Sequence, residues 1–180
     1  PNSRLLGWPP GLHSSYSNSG AGILSRVIEH VTKKTYETFV ADEIFSPLGM
    51  SSARFTIVAP DFDKLIAGYD GDGCTEIEYW HTLYRAFGAI SVTPRDMIPF
   101  VQLFLNRGNH ATTQLVSKTS IERMQRPRTS LSARAGLDYG YGLGVYQYQR
   151  LGISFFGHGG DADGYLAYFS YSPGLQRGYF

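Results

Sequence analysis

The stretch YGLGVYQYQRLGISFFGHGGDADGYLAYFSYS, residues 141–172, decides the fold class. Tyr141–Gln149, Ile153–Gly157 and Tyr165–Ser172 are short, rich in aromatics and punctuated by glycine. That texture predicts an antiparallel meander, and Gln176–Phe180 would begin a fourth strand. Upstream the period is helical. Ile23, Leu24, Val27, Ile28 and Val31 line one face of a helix that Asn18 or Ser19 can cap. A second helix is expected over about 36–45, with Phe39, Val40, Ile44 and Phe45 inward, ended by Pro47-Leu48-Gly49-Met50. Thr93-Pro94-Arg95-Asp96 starts another: Thr caps, Pro suits the first helical position and Asp suits the dipole. It should run to about Asn106 and stop at Gly108. Thr119-Ser120-Ile121-Glu122 reads as a capping box. Residues 1–15 read as loop, with a turn at Pro9-Pro10-Gly11. Helices first and sheet afterwards make an α+β fold, mostly helical over about 12–138 and sheet over about 139–180.

A chain of 180 residues with 42% hydrophobic and 17% charged residues can bury a sizeable core. A net charge of +1 gives no electrostatic footprint for nucleic acid or an anionic membrane. The single cysteine, Cys74, excludes an internal disulfide. No apolar run approaches the roughly 20 residues of a membrane helix. The chain opens in loop-forming sequence at Pro1 and stops inside an expected strand at Gly178-Tyr179-Phe180, so both ends read as cuts. No compartment is assigned.

Gly68-Tyr69-Asp70-Gly71-Asp72-Gly73 is turn-rich and acidic, but its spacing does not match a twelve-residue calcium loop. His13, His30, His81 and His110 lie in unrelated contexts, and no Cys/His cluster suggests zinc. No cofactor or metal is expected.

Five pieces in a fixed order remain. They are Tyr16-Ser17-Asn18 before the first helix, Ile44-Phe45-Ser46-Pro47-Leu48-Gly49-Met50, Arg85 through Met97 (RAFGAISVTPRDM), Tyr141-Gly142-Leu143-Gly144, and Gly157-His158-Gly159-Gly160. In this order the chain resembles the β-lactamase-related serine hydrolases, a group of class C β-lactamases, DD-peptidases and esterases. The family's nucleophile lies in a Ser-x-x-Lys motif well upstream of the tyrosine. No serine here has a lysine three positions later. The resemblance therefore implies the C-terminal part of such a hydrolase, inactive alone, with an amide or ester substrate. It also implies a secreted, periplasmic or membrane-anchored parent, and sheet edges left open to self-association or to the missing N-terminal part.

Acyl transfer to serine needs a base, an oxyanion site and a route for the proton to the leaving group. By resemblance Tyr16 is the base. A phenol with a pKa near 10 is a poor base at neutral pH unless cations lower that value, and the family's lysine is such a cation. Read without the resemblance, Tyr16 packs at a helix entry. Asn18 can cap its helix; by resemblance its amide also faces the substrate carbonyl or the missing lysine. His158 stands where classical β-lactamases carry lysine and can hydrogen-bond Tyr16 or the leaving group, or it is a buried strand-end histidine. Gly159 and Gly160 let substrate approach the strand backbone because no Cβ intervenes. The Asp161 N–H would then be one oxyanion donor, and the absent serine the other; one such donor is worth roughly 3–4 kcal/mol. Asp161 and Asp163 would repel a substrate carboxylate, which favours neutral or amine-bearing esters or amides over penicillins, unless both point to solvent from a turn. Tyr69, Tyr79, Trp80, Tyr84 and Phe87 line either a cleft or the core. The competing reading is a binding or regulatory module derived from the same fold.

Overall fold

The computed structural model describes residues 12, 15–58, 61–80, 82, 85–128 and 130–180. The turn at 9–11, His13, His81 and Tyr84 lie outside the described residues.

Helix α1 spans Asn18–Thr32 and α2 spans Tyr36–Val40. A π-helical turn, Ala41–Phe45, continues α2 into α3, Ser46–Leu48. A 3-10 turn at Asp61–Lys64 precedes the small hairpin β1 (Gly68–Tyr69) and β2 (Glu76–Ile77). Helix α4 is Pro94–Leu105, followed by the hairpin β3 (Asn109–His110) and β4 (Thr113–Gln114). Helices α5 (Lys118–Gln125) and α6 (Leu131–Arg134) lead to the main sheet. Its strands are β5 (Gly140–Tyr141), β6 (Tyr146–Arg150), β7 (Ile153–Ala162), β8 (Tyr165–Ser172) and β9 (Arg177–Tyr179), in spatial order β5-β6-β7-β8-β9. The architecture is α+β, as the helix-then-sheet pattern predicts.

Local chemistry explains the boundaries. Ser17, in extended conformation, accepts the Gly20 N–H at 3.0 Å and caps α1. The cap is therefore one residue earlier than expected, and Asn18 is the first helical residue. Ser117 caps α5 by accepting the Ser120 N–H at 3.1 Å, which displaces the expected box at Thr119–Glu122 by two residues. Glu122 faces Lys118 at 3.8 Å instead. The second helix is longer than expected because the Ser46 N–H reaches back five residues to Ala41 and carries the helix past Phe45. It ends where Gly49 takes φ +69°, a left-handed conformation that glycine adopts without strain.

The strand expected over Tyr141–Gln149 is two strands. Between them the Gly142 N–H closes a turn on the Val145 carbonyl at 2.8 Å. Gly142 is required here: a Cβ would lie 1.9 Å from the Met124 carbonyl oxygen, which accepts the Leu143 N–H at 2.9 Å. Strand β7 runs five residues beyond the expected end at Gly157, from His158 to Ala162, so His158, Gly159, Gly160 and Asp161 are strand residues.

The chain divides into two units. One comprises the described residues within 12–16, 102–158 and 169–179. Its core holds Leu103, Phe104, Ile121, Val145, Phe156 and Tyr171. Phe104 stacks on Tyr171 at 5.1 Å, and Phe156 stacks on Tyr171 at 5.7 Å. Buried Ser172 donates to the Ser154 carbonyl at 2.9 Å, and buried Ser170 meets the Tyr148 hydroxyl at 3.0 Å, so these inward polar groups are satisfied.

The other unit comprises residues 17–101, 159–168 and 180. Val40, Phe45, Leu48, Met50, Ile57 and Val101 form its core, with Phe55 packed on Tyr36 and Phe45. The Asp96 carboxylate accepts from the Ser52 N–H at 2.6 Å and the Ser52 hydroxyl at 2.8 Å, tying the loop after Met50 to the start of α4. Arg85 pairs with Glu37, and Arg54 pairs with Asp61. The apolar stripe of α1 is not buried: Ile23, Leu24, Val27 and Val31 are 51–72% exposed. No helix among the described residues is long and apolar enough to cross a membrane.

Candidate functional site

Tyr16 and His158 come together although most of the sequence separates them. Their ring centroids are 5.9 Å apart, tilted by 44°. Tyr16 immediately precedes the Ser17 cap, so the start of α1 fixes its place along the chain. His158 follows Gly157, where β6 pairing ends at Tyr146↔Gly157. Gly157 is held against β8, since a Cβ there would lie 2.2 Å from the Phe169 carbonyl oxygen.

Two further rings complete this cluster. Tyr141 lies 6.2 Å from Tyr16 and 5.8 Å from His158, edge-on to both. Tyr146 lies 6.2 Å from Tyr141 and 6.2 Å from His158. Burial, reinforced by the neighbouring Tyr16 and Tyr146 phenols, pushes the Tyr141 pKa up to about 12. Tyr141 is thus a neutral phenol at any physiological pH. In the sequence Tyr141-Gly142-Leu143-Gly144 belongs to an expected strand and to the family resemblance, and nothing in its spacing shows that the ring faces Tyr16.

The other residues singled out by the sequence belong to the second unit. Asn18 is exposed at the start of α1. Gly159 carries the Tyr168 ring over it, with a Cβ position only 3.0 Å from that ring. Gly160 differs: a Cβ there meets nothing within 4 Å. Asp161 and Asp163 are both exposed, the first on β7 and the second in the turn to β8. That turn is clasped from Ile66–Trp80. Trp80 Nε1 donates to the Asp163 carbonyl at 3.0 Å, the Tyr165 hydroxyl donates to the Ile66 carbonyl at 3.2 Å, and the Tyr69 N–H donates to the Gly164 carbonyl at 3.2 Å. Of the aromatics left between cleft and core, Trp80 therefore orients the Asp163 turn, Phe62 packs on Tyr79, and Phe87 packs on Gly22. Among the described residues no group of three or more His, Cys, Asp or Glu side chains could hold a metal ion.

The family model described as Beta-lactamase matches residues 3–179. The chain belongs to the beta-lactamase family. Penicillin-binding protein 4 of Amycolatopsis lactamdurans is 26% identical over 179 residues, covering 92% of this chain and 46% of that protein. A D-aminopeptidase of Brucella ovis is 30% identical over 160 residues, covering 87% of this chain and 29% of that protein. The octameric penicillin-binding protein homologue from Pyrococcus abyssi superposes with a TM-score of 0.75 at 26% identity, covering 95% of this chain and 38% of that one. Each match takes in nearly all of this chain and less than half of the relative. The fold is that of the β-lactamase-related hydrolases, with helices and an antiparallel sheet.

Proposed function

We propose that this chain carries the proton-transfer side of a serine hydrolase that acts on an amide or ester through an acyl-enzyme, and that it is inactive without the upstream serine. Tyr16 accepts the proton of the attacking serine and passes it to the leaving group. His158 assists as hydrogen-bond partner of Tyr16 or of that group. Asn18 holds the substrate carbonyl or the family's lysine. Gly159 and Gly160 form the backbone wall, and the Asp161 N–H is one oxyanion donor. The observation that carries this reading is the 5.9 Å approach of the Tyr16 and His158 rings. Support also comes from Gly160, whose lack of a side chain no packing demands.

Asp161, a strand residue of β7 rather than a turn residue, favours a neutral or amine-bearing acyl group over a carboxylate-bearing β-lactam; Asp163 points to solvent from the turn and adds nothing to that preference. A D-aminopeptidase among the relatives is consistent with that preference. The exposed stripe on α1 supports association, either with a second copy or with the missing N-terminal part.

The test is mass spectrometry of acyl adducts. A longer protein with Ser-x-x-Lys upstream of Pro1 should form an adduct with an activated neutral ester, and Tyr16→Phe should abolish its turnover. The 180-residue chain should form none. Turnover by the short chain alone would refute the assignment of the nucleophile. An upstream sequence without Ser-x-x-Lys would leave a binding or regulatory module as the function. Penicillin hydrolysis as fast as that of a neutral ester of similar size would refute the substrate preference.

A further inference from the structure

We propose that Tyr141 is the positioning residue that holds Tyr16 in register with His158. The inference rests on the acyl-transfer reading for its meaning, and on ring geometry for its content. Tyr16, Tyr141 and His158 form a nearly equilateral triangle with sides of 5.9, 6.2 and 5.8 Å. Within it the contacts are not equivalent. Tyr141 meets His158 at 87° and Tyr16 at 67°, the edge-to-face arrangement that ring quadrupoles favour. Tyr16 and His158 face each other at 44°, which is neither stacked nor edge-on. The oriented contacts of Tyr16 therefore run to Tyr141.

Tyr16 needs such a support. The residue is 63% exposed, so its side chain has rotamer freedom to lose, and a reacting group must be held to within about 0.5 Å. Tyr141 is mounted to provide it. The residue pairs with Tyr146 across β5 and β6. The next residue, Gly142, is pressed against the Met124 carbonyl and closes the turn to Val145. The Tyr146 ring flanks Tyr141 and His158 at 6.2 Å each. Because burial keeps Tyr141 uncharged, it can orient the pair without adding a charge beside a phenol that must gain and lose a proton.

The experiment has two arms. In the 180-residue chain, nuclear Overhauser contacts between the Tyr16 and His158 rings are measured for wild type, Tyr141→Phe and Tyr141→Leu. Wild type and Tyr141→Phe should show the contact. Tyr141→Leu should lose it while keeping the Phe156–Tyr171 core contact. Persistence of the Tyr16–His158 contact in Tyr141→Leu overturns the proposal. Should that variant not fold, Tyr141→Met replaces it; the wild type must in any case show Tyr141 contacts to both rings, and their absence overturns the proposal outright.

In a longer protein that carries the nucleophile, Tyr141→Leu should lower kcat about tenfold or more and leave KM within about twofold, because a misplaced reacting group loses rate rather than binding. Tyr141→Phe should recover kcat to within about threefold of wild type. An unchanged kcat in Tyr141→Leu refutes positioning. A longer protein that is inert with Tyr141 intact defeats the acyl-transfer reading instead, and the ring contacts alone then decide whether Tyr141 orients Tyr16.

Discussion

The Gln125 side-chain amide donates a 3.0 Å hydrogen bond to the Tyr171 hydroxyl, joining the last residue of α5 to strand β8. Tyr171 has no exposed surface, so this hydroxyl has no access to water. Gln125→Leu should therefore cost about 1–3 kcal/mol, the penalty of leaving the buried Tyr171 hydroxyl without its partner. Tyr171→Phe should cost less, because it removes the group that would be stranded. Urea denaturation of both single variants and the double variant checks this; equal costs for the two singles would refute it.

Alkaline stability follows from the same interior. Burial raises the Tyr141 pKa to about 12 and raises that of Tyr171 as well. The folded chain then holds these protons more tightly than the unfolded chain, whose phenols titrate near 10. Stability should be fully present below about pH 10 and decline as pH rises towards 12. Tyr141→Phe should flatten part of that decline. Thermal melts at pH 9 and pH 11 measure it, and an identical drop in the variant would contradict the assignment.

Gly142 and Gly160 should separate packing from chemistry. Gly142→Ala drives a methyl into the Met124 carbonyl and should cost about 3 kcal/mol or more, lowering Tm by roughly 6–12 °C. Gly160→Ala meets open space and should change stability by less than about 0.5 kcal/mol. In a longer protein with the nucleophile, Gly160→Ala should nonetheless suppress adduct formation. Normal acylation in that variant would remove Gly160 from the substrate wall.

Asp96→Ala should cost about 1–3 kcal/mol, since it leaves the Ser52 N–H without its acceptor, while the Ser52 hydroxyl keeps its 3.0 Å contact with the Thr93 hydroxyl. Asp96→Asn keeps an acceptor oxygen and should recover part of the loss in the same melts.

The stripe on α1 should drive association. Light scattering of the 180-residue chain should show mass rising with concentration, and Ile23→Ser combined with Val27→Ser should reduce it. A monodisperse monomer in wild type would speak against a role for this face.

Much of this was legible in the residues, for identifiable reasons. Helices α1 and α4 announce themselves because apolar spacing and end signals agree, as at Thr93-Pro94 and Gly108. The strands beyond Tyr146 announce themselves by aromatic content. The passage of β7 through Gly159-Gly160 was hidden, because paired glycines read as a stop while pairing with a neighbouring strand decides the outcome. Cap positions at Ser17 and Ser117 were off by one and two residues, since several hydroxyl side chains compete in each run. In the site, the order of the motifs pointed to Tyr16 and His158. Tyr141 was invisible because ring orientation depends on how the turn at Gly142 is seated, which has no signature in local spacing.

The π-helical turn at Ala41–Phe45 holds one residue more than an α-helical path of the same angular sweep would need. Loss of one residue from α1 or α4 would rotate everything after it by about 100° and turn the apolar face away. Loss of one residue at Ala41, Asp42 or Glu43, all exposed, would instead let the turn relax to ordinary α-helix, with Val40 and Leu48 still facing inward. This short segment is thus a length buffer, where the gene can shed a codon without disturbing the core around Phe55 and Met50.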